Sequence, residues 1–281
     1  NMHGTHVAGI AGAVGNNGIG IAGAAWDVKL MHIKVFQSTG QGNSTTIADG
    51  VEYASNNGAT ILNMSFGSYA ESATLKLALE NAYATAILVA SAGNNGICIG
   101  PYGACFPAFP AAYSYILGVM DQPNGPGLGG YSNYDQDGPT ASLFNELLNY
   151  EIAAPGTGIM STIPNGGYAT LTGTSMSSPL VAGAMALYKE QKPGDSGELI
   201  FGNLIHTTQE PNPGATGFVD ILGAFEVNPS PYLAVVNAVE RDSIMGQNGN
   251  GYLQPGETIE ILPLVKNYWG PTEDVRVGIE F

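Results

Sequence analysis

Gly173-Thr174-Ser175-Met176-Ser177-Ser178-Pro179 runs directly into Leu180-Val181-Ala182-Gly183-Ala184-Met185-Ala186-Leu187-Tyr188. Small and apolar residues at helical spacing predict a buried helix, with Ser175 on its first turn. Backbone N–H groups at a helix start have no intrahelical partner and stabilise an anion, so a serine there is placed like a nucleophile. Gly173 lets the backbone approach a ligand closely, and Pro179 is expected near the helix start, where a missing N–H costs least. Alone, the stretch would read as an N-capping serine on a core helix.

Two further stretches argue against that bland reading. In His3-Gly4-Thr5-His6-Val7-Ala8-Gly9 the two histidines lie at helical i, i+3 spacing among small residues that let a helix pack tightly. Imidazole titrates near working pH and suits a general base. Zinc binding is the rival, but no Glu stands between the histidines and no third ligand is evident. Residues 28–35, 59–64 and 86–90 read as buried strands, and 45–56 and 72–84 as helices, the first stopped by Asn57-Gly58. Strands apolar on both faces that alternate with helices predict a parallel sheet covered on both sides. Ser91-Ala92-Gly93-Asn94 falls at the carboxyl end of one strand, where such sheets bind ligands. An Asn amide there can donate to an oxyanion, though Asn-Asn-Gly is also a common turn.

These three blocks, in this order, resemble the motifs of the subtilisin-like (subtilase) serine proteases, and the resemblance covers about residues 1–228. It implies a three-layer α/β/α fold with a mostly parallel central sheet, and a serine endopeptidase working through an acyl-enzyme. His3 would take the proton of Ser175, with His6 a packed neighbour, while Asn94 and the Ser175 N–H hold the oxyanion. By the same resemblance, Gly40, Gln41 and Gly42 lie in an extended segment that pairs with the substrate backbone. Ser65, Phe66, Gly67, Ala92, Gly93 and Thr174 would line the pocket before the cleaved bond. None of them carries charge, which implies a preference for large uncharged side chains. The loop Val14-Gly15-Asn16-Asn17-Gly18-Ile19-Gly20-Ile21 resembles the family's calcium loop, with Ca2+ held by Asn17, Ile19 and Ile21; a plain Asn-Gly turn is the alternative.

The family order is Asp, His, Ser, and no residue precedes Asn1. Asp27 and Asp49 stand where the motif would not recognise them. The triad aspartate is therefore expected outside this chain, which is expected to be cut from a longer one and to be inactive alone. In subtilisin itself, loss of the aspartate lowers kcat about 3 × 10⁴-fold.

Composition narrows the field further. With 281 residues, 44% hydrophobic and 11% charged, the chain is globular rather than disordered. Eight basic against 23 acidic residues give a formal charge of −15, which repels nucleic acid and anionic membranes. No apolar run reaches membrane-spanning length, and the partners implied are protein or peptide substrates of a monomer. Cys98 and Cys105 flank a short Gly/Pro/Tyr loop; their closeness and the secreted character of the family suggest a disulfide in an extracellular protein, two free thiols being the alternative.

Residues 135–150 look like an insertion, whose Asp135 and Asp137 read as solvated charges. Asn228-Pro229-Ser230-Pro231 reads as a linker. Beyond it, 233–239, 258–265 and 275–281 read as strands, so 229–281 is expected to be part of a β-sandwich accessory domain following a catalytic domain at 1–228. The Asn/Gly-rich loop at 247–257 resembles calcium loops of such domains or a plain turn. Two other functions compete with the peptidase: a peptide-binding pseudoprotease that kept the groove and lost the chemistry, and an adhesive surface protein, which rests only on 229–281.

Overall fold

The computed structural model describes residues 2–99, 105–113, 115–123, 128–135, 150–206, 233–241 and 260–267. The first helix, α1 (Met2–Gly12), is built from small residues. It ends at Gly12 and does not resume after the polar loop. The chain instead folds back, and Gly23, Ala24 and Ala25 donate to the carbonyls of Ala13, Ile10 and Ala11 at 2.8–3.0 Å. Those are carbonyls that a helix C-terminus leaves without partners.

Residues 28–35 form no strand, correcting the sequence reading. Their composition favours strand, but a strand needs a ladder, and among the described residues this segment has none. Leu30 and Met31 stand exposed, and Ile33 leans on the core. Next comes α2 (Ser44–Asn56), capped by Asn43, whose side chain accepts from Thr46 N at 2.8 Å. Gly58, at φ +84°, turns the chain out of α2.

The sheet is then laid down through β1 (Ile61–Met64), α3 (Ala73–Tyr83), β2 (Ile87–Ser91), a short β3 (Cys98–Ile99) and β4 (Leu117–Asp121). After these follow β5 (Tyr134–Asp135), which pairs with β3, and β6 (Ile152–Ala154). Strands β1, β2, β4 and β6 make one parallel sheet in that order. The antiparallel ribbon β7 (Ile159–Ile163) and β8 (Gly167–Leu171) leads into α4 (Thr174–Gln191) and α5 (Gly197–His206).

Period-2 alternation divides the core. Leu88 and Ala90 of β2 point to a cluster with Ala48, Val51, Ala78 and Leu79 of α2 and α3. Ile87 and Val89 point the other way, to Val181, Ala184, Met185 and Tyr188 of α4 and to Ile200 and Leu204 of α5. Strands β2, β4 and β6 are thus buried on both sides, while β1 is fully buried on one face only, giving the three layers the apolar composition predicts.

A separate antiparallel pair, β9 (Leu233–Arg241) and β10 (Glu260–Asn267), covers two of the three C-terminal strands read from the sequence. The expected strand at 275–281, the loop at 247–257, the linker at 228–231 and most of the insertion, including Asp137, lie outside the described residues. Asp135 is no free loop charge: it sits in β5, where its carboxylate accepts from Tyr150 N at 3.4 Å. Cys98 and Cys105 are joined by a disulfide.

Candidate active site

The ends of β1 and β2 meet the start of α4. Helix α4 begins at Thr174 after Gly173, whose φ of +154° favours glycine. A Cβ on Gly173 would also lie 3.1 Å from Asn94 Nδ2. Ser175 is partly exposed on the first turn while Met176, Ser177, Ser178 and Pro179 are buried. Its hydroxyl donates to the Ser65 carbonyl at 3.4 Å.

Pro179 departs from expectation. It is the sixth helical residue, past the turn in which a missing N–H is harmless. The carbonyl it leaves without a helical donor is that of Ser175, four residues earlier. Ser65 Oγ fills the gap, donating to Ser175 O at 3.0 Å. Ser65 in turn accepts from Asn63 Nδ2 at 3.0 Å, and Ser178 Oγ donates to Asn63 Oδ1. The turn that bears Ser175 is therefore fastened to the end of β1, and Ser65, expected as a pocket wall, serves as its tie.

Helix α1 packs against α4 and carries His3 on its first turn. His3 is half-buried, and its pKa is lowered first by burial and then by the neighbouring His6. No carboxylate among the described residues raises it. His6 is fully buried and its Nε2 lies 2.9 Å from Ala169 O, which ties that edge of the ring to β8. Among the described residues no group of three or more His, Cys, Asp or Glu could hold a metal. Asp27 and Asp49 are exposed. Ser161 Oγ and Thr162 Oγ1 of β7 donate to His6 O and Thr5 O at 2.8 and 3.0 Å, fixing α1 on the ribbon.

Asn94 follows β2 in a loop on the protein surface. Its Oδ1 accepts from Thr174 N and from Thr174 Oγ1, both at 2.9 Å. Gly93 N donates to the same threonine hydroxyl at 3.1 Å. An amide oxygen that receives two donors fixes which end is which, so Nδ2 is the end turned toward Gly173 and the start of α4. Thr174, read from the sequence as pocket lining, thus orients Asn94.

The other pocket candidates come together through aromatic contact. Gln37 N donates to Gln41 O at 2.8 Å and Gly40, at φ +83°, makes the turn of this segment. Gly42 lies against the Phe36 ring. Phe36 meets Phe66 edge-on with centroids 5.1 Å apart, joining the 36–42 segment to the Ser65-Phe66-Gly67 turn. Ser68 and Phe109 form a bridge that fixes the far side of that turn.

In the 14–21 loop, Asn17 Oδ1 accepts from Ile19 N at 2.9 Å, an Asx turn with Asn16, Gly18 and Gly20 at positive φ. Asn17 Oδ1 and the carbonyls of Ile19 and Ile21 are oxygen donors suited in kind to a hard cation, and the loop contains no carboxylate.

The sequence profile of the Subtilase family matches residues 1–228, and the chain belongs to that family. Alkaline elastase YaB of Bacillus sp. (strain YaB) is 40% identical over 207 residues, covering 74% of this chain and 50% of that protein. Subtilisin Savinase of Lederbergia lenta is 38% identical over the same length, covering 74% of this chain and 70% of that protein. The chain thus spans about half the length of the first relative. Among solved structures, Sphericase superposes with a TM-score of 0.66 at 31% identity, covering 74% of this chain and 70% of that one. A cold adapted subtilisin-like serine proteinase gives 0.63 at 28%, covering 77% and 73%.

Proposed function

We propose that this chain carries the nucleophile, base and oxyanion donors of a secreted serine endopeptidase. The observation that carries the reading is the orientation of Asn94. Both donors on Thr174 hold its oxygen, leaving the amide N–H₂ beside the helix start that bears Ser175. Ser175 Oγ attacks the peptide carbonyl and passes its proton to His3, which later protonates the leaving amine. The carbonyl oxygen gains negative charge as the C–O bond forms, and Asn94 Nδ2 with the Ser175 N–H receives it. The acyl-enzyme is then released by water, with His3 as base. An aspartate preceding the histidine, as in the family's order, would orient the imidazole.

Supporting the finer points, the partly exposed Phe66 and Gly93 suit large uncharged side chains before the cleaved bond, while Ala92, expected to line the pocket, is fully buried in the core. The disulfide suits an oxidising exterior. The loop at Asn17 adds oxygen donors to a structural calcium site. Residues 1–228 are the catalytic unit of a monomer and 229–281 part of an accessory β-domain.

Fluorophosphonate labelling of the full-length protein tests the central claim, with the modified peptide identified by mass spectrometry and Ser175→Ala as control. Labelling at Ser175 that disappears in the control is expected. A folded protein that stays unlabelled would sink the peptidase reading and leave a peptide-binding domain.

A further inference from the structure

Asn133 is fully buried beneath the loop that carries Asn94. Every polar group of its side chain is engaged. Its Oδ1 accepts from Asn95 N at 3.0 Å and from Ile97 N at 3.1 Å. Its Nδ2 donates to Ala92 O and to Tyr69 Oη, both at 2.9 Å. Its backbone N–H donates to Gly93 O at 2.9 Å. Neighbours complete the arrangement: Gly96 N donates to Tyr131 O at 2.8 Å and Tyr69 Oη to Asn95 Oδ1 at 3.1 Å.

We propose that Asn133 is the positioning residue of the oxyanion site, holding the 92–97 loop so that Asn94 Nδ2 meets the developing charge. Loops are ordinarily the mobile part of an enzyme, and electrostatic stabilisation of a transition state requires donors fixed before the charge appears. Asn133 binds residues 92, 93, 95 and 97 around Asn94 without touching Asn94 itself, while Thr174 fixes the Asn94 side chain from the opposite side. A buried side chain that satisfies two backbone donors and one backbone carbonyl cannot be replaced by an apolar one without stranding all three. The glycine between is fitted to it: a Cβ on Gly93, which has φ +107°, would lie 2.5 Å from Asn133 Nδ2. Tyr69 extends the clamp outward, since its hydroxyl accepts from Asn133 and donates to Asn95.

This inference rests on the peptidase reading, and the test separates the two. kcat and KM for peptide hydrolysis are measured in the full-length protein for Asn133→Asp, Asn133→Ala and Tyr69→Phe, each alone and in an Asn94→Ala background. Asn133→Asp keeps the shape and the acceptor but loses both Nδ2 donors; Tyr69→Phe removes one hydroxyl at a half-exposed position and leaves the core intact. Asn133→Asp is expected to lower kcat by about 10–100-fold with KM changed by less than about threefold, short of the 10²–10³-fold known for loss of the oxyanion asparagine in subtilisin itself. Tyr69→Phe should lower kcat by a few fold in the same sense. In the Asn94→Ala background both effects should vanish, because a residue acting through Asn94 has nothing left to position. Equal losses with and without Asn94, or a folded Tyr69→Phe and Asn133→Asp pair with wild-type kcat, would overturn the clamp while leaving the peptidase intact. A wild-type protein that neither hydrolyses peptides nor takes the fluorophosphonate label would overturn the peptidase reading and the clamp together.

Discussion

Burial and the proximity of His6 lower the pKa of His3, so its neutral, proton-accepting form persists below the ordinary histidine value of 6.5. The sign for stability follows. Folded His3 holds a proton less tightly than unfolded His3, so the unfolded chain takes up more protons as pH falls through 6.5, and the native state loses stability there. Above that value both forms are neutral and His3 contributes nothing to the pH dependence. Replacing His6 by Gln removes the repulsion and keeps a donor for Ala169 O. The acid limb of kcat/KM is expected to move to higher pH, and a limb that stays or moves lower would contradict the coupling. Asn94→Ala should lower kcat with KM nearly unchanged, and Thr174→Val should do the same more mildly by releasing the Asn94 oxygen; steady-state kinetics distinguish this from a loss of substrate binding. The candidate roles of Ser175, His3 and Asn94 could be read because each sits in a short stretch whose chemistry shows locally. Thr174 and Asn133 act on Asn94 from 80 and 39 positions away along the chain, and nothing in their own neighbours announces it.

At the level of elements, the helices that carry His3 and Ser175 are brought together by what their sequences lack. A Cβ on Gly183 would lie 2.7 Å from Ala11 O and 2.6 Å from Ala24 Cβ, and one on Gly9 would lie 2.4 Å from Ser161 Oγ. Ala11 and Gly183 each stand eight residues, about two turns, beyond the candidate base and nucleophile on their respective helices. Gly183→Val, which must displace backbone, is expected to destabilise by about 1–3 kcal/mol or more, read as a lower urea midpoint with kcat falling in the same variant. The helices and core strands were readable because burial on one or both faces imposes a period. Residues 28–35 misled because strand-forming composition states a preference, whereas a strand requires a partner that no local pattern supplies. Pro179 misled for a related reason: its cost is met by Ser65, more than a hundred positions away.

For the molecule as a whole, two restraints lie away from the chemistry. The Cys98–Cys105 bridge closes a loop of sequence separation 7. Reduction should cost about 2–3 kcal/mol on the chain-entropy estimate, measured as the difference in unfolding free energy with and without reductant. If the Asn17 loop contributes to calcium binding, chelation lowers the melting temperature of the full-length protein, and Asn17→Ala shrinks that difference. An unchanged melt on chelation removes calcium from the account.

The attachment of α1 has a temporal consequence. The first helix is held by Ser161, Thr162 and Ala169, at sequence separations of 155, 157 and 163. A chain made from its N-terminus therefore carries its histidine unplaced until the ribbon and the helix bearing Ser175 have been synthesised and docked. His3 and Ser175 are placed in a single late event, so no shorter folding intermediate holds both. On the proposed peptidase reading, a nascent or half-folded copy is in this way harmless to itself and to its neighbours, and cutting power switches on only with completion.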